Sequence, residues 1–143
     1  MTTKVKPIPD GYHTVTPYLI TKGVGNALDF YKKAFGAEEL MRMPAEDGKR
    51  LMHAHLMIGD AHLMLHDDFP EMCGGKSTTP TALGGTPVVI HQNVRDCDAA
   101  IKRCADAGAK VTMPPQDMFW GDRYGQVTDP FGHLWSFSTP LKK

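Results

Sequence analysis

The sequence predicts an α+β fold of two tandem βαβββ modules forming a curved mixed sheet with a concave groove. Three observations lead there. The chain repeats itself: Thr16-Pro17 recurs as Thr86-Pro87, His62-Leu63 as His133-Leu134 and Gly36-Ala37 as Gly108-Ala109, at offsets of 70, 71 and 72 that keep their order. Each half carries one stretch of helical periodicity, with one strand-like stretch before it and three after. One such half exposes an apolar sheet face, and the second half supplies a cover for it. The modules take residues 12–68 and 86–139, joined by a loop at 69–85, in one fused domain.

Residues 1–11 carry Pro7, Pro9 and Gly11 and read as an arm or loop. His13 to Ile20 is rich in Val, Thr and Tyr and reads as a strand. Asn26 is a candidate N-cap for a helix over 27–35, whose apolar positions 27, 28, 31, 34 and 35 form one stripe, and Gly36 stops it. Glu38 to Met43 is a short strand, and Ala45-Glu46-Asp47-Gly48 a turn. Leu51 to Ile58 and His62 to His66 form a hairpin across Gly59-Asp60-Ala61. Residues 67–85 hold two Asp, two Gly pairs and few apolar side chains, which suits a mobile connecting loop and a cover for a site. In the second half, Pro87 to Val94 is a strand. Asp96 or Asp98 caps a helix to about Ala107, with Gly108 as its stop. Lys110 to Met113 begins a strand that Pro114-Pro115 bends. Arg123–Thr128 and His133–Ser138 close the domain as a hairpin around Asp129-Pro130-Phe131-Gly132.

Composition narrows the function classes. Sixteen basic and sixteen acidic side chains leave no net charge, which removes the electrostatic case for nucleic acid. No apolar run approaches the ~20 residues of a membrane span, and Met1 to Lys6 lacks the apolar segment of a secretory signal. Cys73, Cys97 and Cys104 are odd in number without a close pair, which points to reduced thiols in a cytoplasm. Cys97 and Cys104 share one helix face, as core residues would. Met41, Met43, Met52, Met57, Met64 and Met72 sit in or beside the first module's strands. Their thioethers suit an adaptable pocket or a core, and a core is the simpler assignment.

The helix Asn26-Ala-Leu-Asp-Phe-Tyr-Lys-Lys-Ala-Phe-Gly-Ala37, the paired modules and Asp129-Pro-Phe-Gly-His-Leu-Trp135 resemble the vicinal oxygen chelate superfamily. That superfamily holds glyoxalase I, bleomycin-resistance proteins, fosfomycin-resistance enzymes and ring-cleaving dioxygenases. Trp120-Gly-Asp-Arg-Tyr-Gly125, followed by the Asp129 run, is most similar to the PhnB-like branch. The resemblance implies a homodimer, a small-molecule ligand in the groove and, in the enzymes, one divalent metal such as Zn, Ni, Mn or Fe. The four metal-ligand positions it implies fall near Thr16, Met64, Val89 and Ser136. Thr, Met, Val and Ser make a poor donor set, so no metal is expected. The leading expectation is a small-molecule binding protein, as in bleomycin resistance. Whether the chain is an enzyme stays open at this point.

Two groups of residues remain as site candidates. His53 and His55 share one strand face, His62 and His66 another, and His91 lies two residues past the Val89 position. A displaced metal site from His53, His55 and His91 is the alternative, set against hydrogen-bonded sheet histidines. His55 and His91 are also ligand-binding candidates. Trp120, Arg123 and Tyr124, with Asp122 between them, form the second group. Their guanidinium fork and rings suit an anionic or planar ligand. Against that, Asp122 and Arg123 suit a turn-capping pair.

Overall fold

The computed structural model describes residues 5–142. The eight strands divide into two four-stranded mixed sheets, one per repeat. The first comprises β1 (Tyr18–Ile20), β2 (Glu38–Pro44), β3 (Leu51–Ile58) and β4 (Ala61–His66) in the order β1-β4-β3-β2. The second comprises β5 (Val89–Asn93), β6 (Lys110–Asp117), β7 (Asp122–Thr128) and β8 (Leu134–Pro140) in the order β5-β8-β7-β6. In each sheet the first strand runs parallel to the last and the other pairs are antiparallel. Leu19 faces Leu65 and Ile90 faces Trp135 across the two parallel pairs. The repeat in the sequence is therefore a repeat in the sheet ladder. This is the tandem βαβββ, α+β architecture that the sequence predicts.

Helix α1 (Val24–Phe35) buries Val24, Ala27, Leu28, Phe30, Tyr31 and Ala34. Helix α3 (Cys97–Ala107) buries Cys97, Ile101 and Cys104. The helices touch each other, and both sheets contribute to one core, from Leu56 and Leu65 in the first to Val127, Trp135 and Phe137 in the second. Phe35 and Trp135 meet at 4.6 Å between centroids. Each large apolar side chain buried here contributes roughly 1.5–3 kcal/mol. Burial pushes the Cys104 thiol up to about 12, which keeps it an inert core group.

Several elements depart from the sequence expectation. The first strand covers only Tyr18–Ile20, because residues 13–17 find no partner in the ladder beyond the Met64 N–H bond to the Pro17 carbonyl. Helix α1 starts at Val24, before Asn26. Its N-cap is Gly23, and the amides of Gly23 and Val24, which have no partner within the helix, donate to the distant Asp67 carboxylate at 2.8 and 3.1 Å. Strand β6 passes through Pro114 and Pro115 rather than ending there. It is the outer strand of its sheet, where a missing N–H costs no ladder bond, and the register shifts around the prolines. The 67–85 segment is not bare loop. It holds a 3-10 turn, Pro70–Met72, and a short helix α2, Pro80–Leu83, capped by the buried Thr79.

Candidate functional site

Register decides which side chains share the sheet face turned away from the core. In the first sheet, Tyr18 faces Met64, Met64 faces His55, and His55 faces Met41, so these four stand in one row. The flanking rows hold Ile20 with His66, His53 with Met43, and Met57 with His62. The result is a surface of imidazoles, thioethers and one phenol. His55 Nε2 and His62 Nδ1 lie 2.7 Å apart and share one proton bond, so one ring donates and the other accepts. His53 Nδ1 is 2.8 Å from the Tyr18 hydroxyl. Only 6% of His55 is exposed, and burial, reinforced by the facing His62 and His53, holds its pKa below the ordinary imidazole value.

No methionine stands in the buried core of the described residues. Met41 and Met43 are exposed on this face, while Met52 and Met72 are exposed at 50% and 77%. The core assignment for these residues is therefore replaced by an open, deformable apolar surface.

In the second sheet, His91 is pinned from below. Its Nδ1 lies 2.7 Å from Ser136 Oγ and its Nε2 2.9 Å from Ser138 Oγ. The Tyr124 ring lies 15° from parallel to it at 6.1 Å, and Trp120 meets Tyr124 edge-on at 5.7 Å. His91, Tyr124 and Trp120 thus form one aromatic tier that ends in the exposed Phe119–Trp120 turn.

Arg123 does not join that tier. Its guanidinium forks onto both oxygens of Asp98 on α3 at 2.8 and 2.9 Å, and reaches Asp117 at 3.0 Å. Alternation along β7 puts it on the helix side with Gly125, away from Tyr124. It pairs with Asp98 and Asp117 rather than with Asp122. The group that the sequence makes of Trp120, Arg123 and Tyr124 therefore splits, because neighbours on a strand point to opposite faces.

The displaced metal set does not assemble within the chain. His91 sits on the second sheet with both ring nitrogens engaged, while His53 and His55 sit on the first. Among the described residues no group of three or more His, Cys, Asp or Glu side chains is placed to hold a metal ion. The four implied ligand positions do not fit a divalent cation either. Thr16 offers only a neutral hydroxyl, Ser136 Oγ is buried against His91, Met64 lies between Tyr18 and His55, and Val89 offers no donor.

The two sheets part along their β1 and β5 edges. A cleft of about 880 Å³ opens there, lined by Pro17, Ile58, His62, Ile90, His91 and Trp135 among others. It brings one histidine from each module to the same space. A second cleft of about 600 Å³, lined by Tyr18, Ile20, His91 and His133, continues along the same seam. The sequence places His62 in the histidine group without singling it out as a ligand-binding residue, and it does not mark Tyr18 as a site residue at all. Period-two alternation from His66 and from Leu19 contained that signal. It gave none for Tyr12, which lies in the N-terminal arm and stacks on His62.

Comparison with known proteins gives a consistent picture. The family model described as "Glyoxalase/Bleomycin resistance protein/Dioxygenase superfamily" matches residues 12–137. An uncharacterised protein of Mycobacterium bovis is 54% identical over 129 residues, covering 90% of this chain and 84% of that protein. The crystal structure of TioX from Micromonospora sp. ML1 superposes with a TM-score of 0.68 at 32% identity, covering 90% of this chain and 99% of that one. The X-ray structure of an Arabidopsis thaliana gene product, At5g48480, has a TM-score of 0.69 at 28% identity, with 89% and 98% covered.

Proposed function

This chain belongs to the glyoxalase/bleomycin resistance protein/dioxygenase superfamily, and from that premise we propose that it binds a small molecule in the cleft between its two sheets without using a metal. One observation carries the reading: the cleft of about 880 Å³ joins His62 and His91, one from each module, in a space of the size that small ligands fill. The resemblance puts the superfamily's metal-ligand positions near Thr16, Met64, Val89 and Ser136, a donor set that favours plain binding over metal chemistry. His62 and His91 supply hydrogen-bonding and stacking groups, and the methionines of the first sheet supply adaptable apolar contact.

Within the superfamily we assign the chain to the PhnB-like branch, on the Trp120–Gly125 run and the Asp129–Trp135 run. A homodimer is part of the same proposal. Tyr18, Leu40, Met41, Met43, Val88 and Val89 are exposed on or beside the sheets, and a second copy would cover part of them. Three unpaired cysteines, two of them buried, suit a reducing cytoplasm. No helix among the described residues is long and apolar enough to cross a membrane.

The test uses protein treated with a chelator and titrated with 8-anilinonaphthalene-1-sulfonate followed by fluorescence. Saturable binding is expected, lost in Ala61→Trp, which adds a large ring to the exposed cleft wall. Equal binding by that variant would place the dye elsewhere and remove the support for this cleft.

A further inference from the structure

Among the described residues of the N-terminal arm, one ring, that of Tyr12, makes aromatic contact with the body. Residues 5–11 are exposed, and the only ion pair within the described arm, Lys6 with Asp10, is solvent-facing. Among the described residues the arm's backbone bond is internal, from the Tyr12 N–H to the Pro9 carbonyl, and none of them before Pro17 makes a backbone bond to the sheets. Tyr12 is different. Its ring lies flat on His62, 3.8 Å between centroids and 12° from parallel, and meets His55 edge-on at 5.6 Å. It is the closest and most nearly parallel ring pair among the described residues. His62 is also the first module's histidine in the cleft.

From this arrangement, and resting on the binding role given above, we propose that Tyr12 is a built-in occupant of a ring-stacking subsite on His62, and that a planar aromatic group of the ligand takes its place as the arm lifts away. The imidazole pair is fixed in orientation by its shared hydrogen bond, so the platform exists before any ligand arrives. A ring stacked on it gains dispersion and quadrupole complementarity that any flat aromatic can supply. The occupant is cheap to remove, because the described part of the arm has no ladder bond to break and gives up only the ring's stack on His62 and its edge contact with His55. The arm then acts as an internal competitor, which weakens apparent affinity by the fraction of time that Tyr12 covers the platform.

The experiment is a titration of chelator-treated protein with the same naphthalene dye, in wild type, Tyr12→Ala, Tyr12→Phe, and Tyr12→Ala combined with His62→Leu. Amide exchange of residues 5–17 is followed with and without saturating dye. Vacating the platform is expected to tighten binding about three- to tenfold, the range that one aromatic pair supplies. Tyr12→Phe, which keeps the ring, stays within about twofold of wild type on the same basis. The double variant loses the gain, and dye speeds exchange in the arm of the wild type. Dye that binds the wild type but no tighter in Tyr12→Ala, with arm exchange unchanged, overturns this inference and leaves the cleft reading standing. Absence of dye binding in every variant overturns both.

Discussion

Asp129 holds four donors with one buried carboxylate. Its oxygens accept from the Tyr31 hydroxyl, from Trp135 Nε1 at 2.9 Å, and from the Phe131 and His133 amides at 2.9 and 3.0 Å. It closes the β7–β8 turn and ties α1 to the second sheet at the same point. Asp129→Ala leaves those donors buried without an acceptor, and should cost about 3–5 kcal/mol in urea unfolding, the range for breaking a buried charged hydrogen-bond set. A loss under about 1 kcal/mol would mean that water replaces the carboxylate. His55 gives the second prediction at this scale. Its pKa is lowered in the fold, first by burial and then by His62 and His53. The unfolded chain therefore takes up the proton first, and stability falls as pH drops below about 6.5 until the folded imidazole protonates too. Melting temperatures between about pH 5 and 8 should show this slope, and His55→Phe should reduce it; an undiminished slope in that variant would assign it elsewhere. Asp129 was legible as a turn residue because its local spacing is that of an Asx turn. Its hold on Tyr31 was not, since nothing in local sequence ties residues 98 positions apart.

Elements were most legible where periodicity was long. The β3 boundaries, Leu51–Ile58, and the helix end at Ala107 fall where the pattern puts them. Asp96, one of two candidate caps, is the residue whose side chain accepts from the Ala99 amide at 3.0 Å. The misses have tertiary causes. The α1 cap comes from Asp67, which also accepts from the Leu51 amide at 2.7 Å, so a residue beyond β4 organises the start of a helix far before it. The β6 prolines survive because that strand lies on an edge, and edge position is not visible before the sheet order is known. Packing of α3 on β7 yields a third prediction. A Cβ on Gly125 would stand 2.3 Å from Ile101 Cδ1 and 2.9 Å from the Met113 carbonyl oxygen. Gly125→Ala should therefore destabilise by about 1–3 kcal/mol in chemical denaturation, although its backbone angles suit alanine. Ile101→Val in the same chain should recover part of the loss. No loss in the single variant would mean that α3 packs more loosely than described.

At the scale of the molecule, two sheets share one core through their helix faces and leave two other faces furnished with rings and thioethers. The sequence repeat made the two modules legible, since each half carries the same order of elements at a near-constant offset. Which face each candidate residue takes was only half legible. Alternation groups His53 with His55, but Arg123 and Tyr124, grouped in the sequence as one ligand-binding cluster, are strand neighbours and fall on opposite sides of β7. The proposed dimer is checked by light scattering after gel filtration, where twice the 15.8 kDa chain mass is expected, against a monomer if the exposed apolar residues have no partner. The most direct test of the central claim, metal-free binding at the inter-sheet cleft, is calorimetric titration of the naphthalene dye into chelator-treated protein, with and without added zinc, nickel, manganese or ferrous iron. The account predicts one saturable site whose affinity is the same in every case and is lost in Ala61→Trp. Binding that appears only after a metal is restored would contradict it.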